Sequence, residues 1–202
     1  MYCPAHFQLD DEKIIFQLIQ QYSFAHLVSC RNGVLEINQI PFLLDTSQRC
    51  LYAHVAKSNS HWKMLEKADD LKVCFSGPDA YISPNWFSHS QGVPTWNFVS
   101  VQITGKATLM DETQLLQLLI DLSAKHEANL KNPWTIEKLQ SKKLDAMLKA
   151  IVGFKVSIDA IDAKAKLSQN HPPEEVQRLI AGLQQQNSHD ATQVAEWMNR
   201  FL

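Results

Sequence analysis

Residues 51–106, LYAHVAKSNSHWKMLEKADDLKVCFSGPDAYISPNWFSHSQGVPTWNFVSVQITGK, decide how the rest of this chain is read. Trp62, Trp86 and Trp96 fall here, as do His54, His61 and His89, interleaved with Ser, Asn, Thr and Lys. Flat apolar faces beside small hydrogen-bond donors suit a planar ligand with a polar tail; an aromatic core packed under a long loop has the same composition. Within the stretch, Cys50 to Ala56 reads as a strand, Ser58 or Ser60 as the cap of a short helix to about Lys67, and Leu71 to Ser76 as another strand. Gly77 to Pro94 is a turn-rich segment with an embedded AYIS, of a length that in compact domains is often functional. Phe98 to Met110 alternates as a long strand, with Gly105 as a bulge.

Upstream, Asp10 and Asp11 can cap a helix through about Tyr22, where Ile14, Ile15, Leu18 and Ile19 recur at helical spacing. Phe24 to Arg31 follows as a strand, Asn32-Gly33 as a tight hairpin turn, and Val34 to Leu44 as the partner strand. Pro41 interrupts that partner and marks a bulge or an edge position. Downstream, Asp111 caps a helix striped by Leu115, Leu118, Leu119 and Leu122, ending near His126. Pro133 starts a second helical piece, and Ser141 to Ala150 supplies a third. Ile151 to Ile158 returns to strand character and is expected to close the sheet begun upstream. After Pro172 and Pro173, residues 174–186 and 190–201 have the pattern of two short amphipathic helices. Hairpins joined without regular intervening helices point to an antiparallel barrel rather than a doubly wound sheet. The expected class is mainly β with flanking helices.

A chain of 202 residues suffices for one domain with a sizeable core, or for a core domain with a helical appendage. A formal charge of -2 leaves no overall cationic footprint for nucleic acid, so a DNA role needs a local patch or a partner. Cys3, Cys30, Cys50 and Cys74 form no C-x-x-C, which argues against a zinc site or a redox pair. No stretch has the pattern of a secretory leader or a membrane span, so the chain reads as cytoplasmic, without a membrane partner.

G-x-G-x-x-G and G-x-x-x-x-G-K-[ST] are absent, so a nucleotide needs another cradle. Strand 51–56 followed by KSNS and a helix offers one: amide N–H groups near Ser60, charge from Lys57, donors from Ser58 and Asn59, and a further donor from His54. The same serines can be plain caps and the same lysine solvated. Tyr81, Ser83, Trp86, Thr95, Trp96 and Asn97 form a second group, with flat walls and edge donors of the kind an isoalloxazine needs; a packed loop with capped turns is the alternative. The histidines lack a carboxylate or cysteine at ligand spacing, so no metal site is expected. No nucleophile elbow surrounds any serine and no catalytic residue is assigned. Lys164, Lys166, Ser168, Gln169 and Asn170 form a polar segment that is either solvated or able to reach a phosphate across a dimer.

MYCPAHF at the start, HVAKSNSHW (His54 to Trp62), GPDAYISPNWFSH (Gly77 to His89), VPTWNF (Val93 to Phe98), GKA (Gly105 to Ala107), IVGFK (Ile151 to Lys155) and KLSQN (Lys166 to Asn170) together resemble the PaiB family of bacterial FMN-binding negative transcriptional regulators. The resemblance implies an antiparallel FMN-binding split β-barrel, similar to pyridoxamine phosphate oxidases and flavin reductases, dimeric with flavin at the subunit interface. It implies a phosphate role for Lys57, Ser58 and Asn59, with His54 and Trp62 in the same block. Ring contacts fall on the AYIS and PTWN segments, that is Tyr81, Ile82 and Ser83 with neighbouring Trp86, and Thr95, Trp96 and Asn97. Lys166 and Gln169 of KLSQN complete the set. His171 departs from the family, whose members commonly have Arg there. The domain expectation is a barrel over 1–170 with a helical insertion at about 111–150, and a helical extension over 171–202 packed on the barrel or on the dimer partner.

Two functions remain open. One is a homodimeric, FMN-binding regulator acting through a weak DNA contact or a regulatory protein partner. The other is an FMN-dependent oxidoreductase using NAD(P)H, with a haem-binding barrel as a distant third. The last helix carries Arg200 as its cation beside Asp190 and Glu196, a poor composition for lying along phosphates.

Overall fold

The computed structural model describes every residue except Ser90. Among the described residues there are nine strands: β1 (Phe24–Arg31), β2 (Val34–Pro41), β3 (Leu43–Asp45), β4 (Cys50–Ala56), β5 (Asp70–Ile82), β6 (Thr95–Thr104), β7 (Ala107–Leu109), β8 (Ile151–Ser157) and β9 (Ala160–Lys166). The α-helices are α1 (Glu12–Gln21), α2 (Trp62–Leu65), α3 (Glu112–Glu127), α4 (Ser141–Lys149), α5 (Pro173–Gln184) and α6 (His189–Asn199). One sheet has the order β2-β1-β5-β6-β9 and the other β3-β4-β8-β7, and the chain is mainly β with flanking helices. No helix of the described residues is long and apolar enough to cross a membrane.

The chain divides into two compact units, one formed by Met1–Leu18, Phe75–Gln102 and Asp162–Leu202, the other by Ile19–Cys74 and Ile103–Ile161. In the second of these, β1 and β2 form a hairpin closed by Asn32 (φ 51) and Gly33 (φ 77), the paired left-handed geometry that a two-residue turn requires. Inward-pointing Ala25, Leu27 and Ser29 of β1 are buried. The opposite side of the hairpin is open, with Phe24, Leu35 and Ile37 each more than half exposed. Pro41 ends β2, an edge strand, so its missing N–H costs no ladder bond.

The four-stranded sheet lies wholly in this unit. Ala53 of β4 pairs with Phe154 of β8, and both are fully buried, with Phe42 edge-on to Phe154 at 6.5 Å. On the other face His54 pairs with Gly153, where a Cβ would meet the Leu115 side chain of α3 at 2.9 Å. Asp111 starts α3 in a capping box with Gln114, which satisfies two otherwise orphaned N–H groups. Gly105 follows the end of β6 rather than bulging it, and a Cβ there would lie 1.7 Å from the Ser157 carbonyl oxygen, so the close approach requires glycine. The chain then leaves one sheet and resumes as β7 in the other.

In the first unit, Leu9 N donates to the Ala163 carbonyl at 3.1 Å and ties the N-terminal segment to β9. Helices α5 and α6 bury Leu179, Leu183, Val194, Trp197 and Met198. The Trp86 indole lies so close on α5 that a Cβ at Gly182 would come within 2.4 Å of it, so the helix contact requires glycine.

Further expectations change. β5 continues through Gly77 and Pro78 to Ile82, so the AYIS segment is mostly strand rather than loop. β9, composed of AIDAKAK, takes the place of what reads as a polar loop. Helix α2 is a single turn from Trp62, with neither Ser58 nor Ser60 as its cap: the cap position is His61, and no side chain caps it.

Candidate functional site

The segment after β4 is fixed from behind. Lys57 N donates to the Ala150 carbonyl at 2.8 Å, Asn59 N to the Ala56 carbonyl at 2.9 Å, and Trp62 Nε1 to the Lys57 carbonyl at 3.1 Å. These three bonds turn the chain so that the Lys57 and Ser58 side chains are exposed. Trp62 thereby acts as a strut for the Lys57 backbone.

Asn59 faces inward, and its bonds dictate a proton. Its Oδ1 accepts from the His61 backbone N–H at 3.0 Å, which fixes the amide so that Nδ2 donates to Asn38 Oδ1 at 3.1 Å. That in turn leaves Asn38 Nδ2 as the group facing His61 Nδ1 at 2.8 Å. An amide NH₂ only donates, so His61 Nδ1 accepts, and Nε2 carries the proton shared with Ser29 Oγ at 2.7 Å. His61 is only 1% exposed, and burial pushes its pKa below the ordinary histidine value, with Glu36 opposing. It is a neutral structural pin.

His54 differs. Its Nδ1 is buried without a hydrogen-bond partner among the described residues, and burial holds its pKa down. An uncompensated buried ring nitrogen costs free energy unless something outside the chain pairs with it. Three residues further on, the exposed Lys57 ammonium and Ser58 hydroxyl offer the donor chemistry that a phosphate monoester takes. The one-turn α2 contributes no substantial dipole, contrary to the helix-terminus expectation.

In the other unit, Tyr81 and Trp96 pack edge to face at 6.1 Å and remain 46% and 53% exposed. With Ser83 and Trp86 they line a cleft of about 530 Å³ whose far side is Leu183, Gln186 and Asp190. Ser83 Oγ accepts from Asn85 N at 3.2 Å and so caps the 3-10 turn that carries Trp86. Ile82 is fully buried.

The PTWN and KLSQN segments meet side chain to side chain. Lys166 Nζ donates to Thr95 Oγ1 and, at 2.7 Å, to the Trp96 carbonyl. Asn97, fully buried, donates through Nδ2 to Ser168 Oγ at 3.0 Å, and Ser168 Oγ donates to Asn97 Oδ1 at 3.1 Å. Gln169 is spent internally: Nε2 donates to the Ala165 carbonyl at 2.6 Å and Oε1 accepts from Leu167 N at 2.8 Å. Asn97 and Gln169 therefore hold the turn, and Asn97 also lines, with Thr95 and Lys166, a second cleft of about 330 Å³.

The expected site residues thus gather in two sets, His54 to Trp62 in one unit and Tyr81 to Asn97 with Lys166 and Gln169 in the other. Ser29, Asn38 and His61, which carry the first set, went unassigned. Ser29 gave a signal, being a polar residue at the inward step of the Ala25, Leu27, Ser29 alternation. Arg200 stacks on the Trp197 ring at 4.6 Å, and α6 buries Val194, Ala195 and Met198.

The family model described as "Putative FMN-binding domain" matches residues 1–160. The chain is 34% identical over 204 residues to the protease synthase and sporulation protein PAI 2 of Bacillus subtilis, covering 100% of this chain and 98% of that one. Among solved structures it resembles the flavocytochrome Anf3 of Azotobacter vinelandii (TM-score 0.60, 20% identity, 79% of this chain and 69% of that chain). It also resembles an FAD- and haem-binding protein of Mycobacterium smegmatis (TM-score 0.60, 14% identity, 79% and 73%). The fold is the split β-barrel of these flavoproteins.

Proposed function

This chain belongs to the PaiB family of FMN-binding domains, and on that footing we propose that it is a flavin-dependent negative regulator of transcription, holding the FMN phosphate at Lys57, Ser58 and His54. The observation that carries the reading is the buried, unpartnered His54 Nδ1 on the strand that leads to two exposed donors. Asn59 and Trp62 serve the same site indirectly, by fixing the backbone that presents Lys57. For a planar ring, the resemblance favours Tyr81 and Trp96, whose faces are open. Bound flavin would supply a redox-active, absorbing ring; the protein's own part is to bind and orient it.

The regulator acts as a homodimer. The open hairpin face, with Phe24, Leu35 and Ile37 exposed, is the kind of apolar sheet surface that a second copy covers. Regulation passes through a protein partner rather than a reading helix, because the single cation of the α6 end is engaged on Trp197.

The deciding experiment is an absorption spectrum of the purified chain with FMN and then with NADPH under anaerobic conditions. A flavin band that persists after NADPH supports the regulator. Bleaching would replace it with an NAD(P)H-dependent oxidoreductase, a Soret band would replace flavin with haem, and failure to take up FMN would remove the cofactor assignment.

A further inference from the structure

We propose that the cleft between α3 and the outer face of the four-stranded sheet is a binding site for a small zwitterion, an α-amino acid with an apolar side chain. The sheet supplies one wall. Tyr52 of β4 pairs with Lys155 of β8, and Lys155 with Thr108 of β7, so the three side chains stand in a row on the face opposite the buried Ala53–Phe154 pair. The other wall is α3, with Gln117 and Asp121, and Leu109, Met110 and Leu118 give the cleft its apolar part. Asp45, the last residue of β3, completes the polar lining. All of these residues belong to the unit of Ile19–Cys74 and Ile103–Ile161. A volume of about 340 Å³ sits at the small end of ligand cavities and suits a molecule of amino-acid size.

Charge selects the occupant. Asp45, Asp121 and Lys155 all line the cleft, and among the described residues Lys155 makes no ion pair with either carboxylate. Each aspartate is held through one oxygen. Asp45 Oδ1 accepts from Ser47 N at 2.9 Å, Ser47 Oγ at 2.6 Å and Gln48 N at 3.0 Å, and Asp121 Oδ1 accepts from Gln117 Nε2 at 2.8 Å. The second oxygen of each accepts no hydrogen bond among the described residues and is left for a ligand. Tyr52 gives its own hydroxyl proton to Gln48 Oε1 at 3.1 Å, so its oxygen also faces the cleft as an acceptor. Burial first, then the Cys50 thiol, then the charges of Asp45 and Asp121 push the Tyr52 pKa up, which puts both carboxylates within electrostatic reach of one phenol. That neighbourhood suits an ammonium, and Lys155, beside Tyr52 in the ladder, suits a carboxylate. A simple amine would meet Lys155 unpaired, and a simple carboxylate would meet two aspartates. An amine and a carboxylate on one carbon give both kinds of charge a partner.

Calorimetric titration of the full chain, with and without saturating FMN, compares L-leucine with 4-methylpentanoate, which lacks the ammonium, and with leucinamide, which lacks the carboxylate. Leucine is expected to bind in both states, and each of the other probes to bind roughly tenfold to a hundredfold more weakly, the loss of one charge-assisted contact. Asp121→Asn should weaken leucine by that factor without weakening 4-methylpentanoate. Lys155→Met should weaken leucine without weakening leucinamide. Both side chains are exposed, and Asp121 is bonded only within its own helix, so the urea midpoint should stay in place and either variant alone decides. Absence of leucine binding at tens of millimolar, equal affinity for the three probes, or wild-type leucine affinity in either variant would each overturn the proposal. So would displacement of leucine by one equivalent of FMN, which would assign the binding to the flavin site.

Discussion

The two polar segments of this protein, residues 54–62 and residues 95–97 with 166–171, use similar residue types in opposite ways. In the first, a relay that runs from half-buried Asn59 and Asn38 to buried His61 and Ser29 lies behind the chain and leaves Lys57 and Ser58 exposed. In the second, the conspicuous side chains Asn97, Ser168 and Gln169 are themselves the relay, and Lys166 and the imidazoles of His6, His89 and His171 stand with Asn97 and Ser168 in the lining of the cleft of about 330 Å³. A polar motif therefore mixes residues that contact a ligand with residues that hold the contact in place. Spent hydrogen bonds separate the two kinds: a polar group that has spent its bonds inside the fold has few left to offer.

That contrast can be broken or sharpened by substitution. His61→Ala leaves both Ser29 and Asn38 short of a buried partner, and is expected to cost about 3 kcal/mol of stability and to weaken FMN binding with it. Urea unfolding with an unshifted midpoint would show that the relay does not hold the segment. Lys57→Ala is expected to leave that midpoint alone and to weaken FMN by about 1.5 to 3 kcal/mol, the worth of a charge-assisted contact. A flavin titration that returns wild-type affinity removes Lys57 from the site. Asn97→Ala should show the reverse signature, about 2 kcal/mol of stability lost with FMN affinity retained, since Asn97 is bonded within the fold. Loss of FMN without loss of stability would make it a contact residue after all.

A smaller effect concerns pH. Burial lowers the pKa values of His54 and His61 from 6.5, so the unfolded chain takes up protons there before the folded chain does. Stability is therefore complete above about pH 6.5 and declines as the pH falls toward the folded values. Denaturation midpoints measured from pH 7.5 to 5 should fall, and a flat profile would mean that neither imidazole is held neutral.

Local signals made much of the fold legible. Asn32-Gly33 announces its hairpin because both positions need positive φ, and Asp111 with Gln114 announces the start of α3 because the two side chains satisfy orphaned N–H groups reciprocally. β9 was hidden because AIDAKAK has little intrinsic strand preference; it forms at the edge of a sheet, next to β6. The extension of β5 was hidden by Gly77 and Pro78, punctuation that normally ends a strand. Here a Cβ at Gly77 would stand 3.2 Å from the Val99 carbonyl, a close approach that only the folded sheet reveals. In the candidate site, Lys57 and Ser58 were legible as donors, but the relay behind them joins positions 29, 38, 59 and 61, and no local pattern links those.

The open hairpin also governs how the chain behaves when alone. β2 is an edge strand with unpaired backbone groups, and Leu35 and Ile37 stand on it at 59% and 53% exposure. Such an edge is a template for strand addition, so an isolated copy is the form most exposed to aggregation. If a second copy covers this face, dilution endangers the protein more than concentration does.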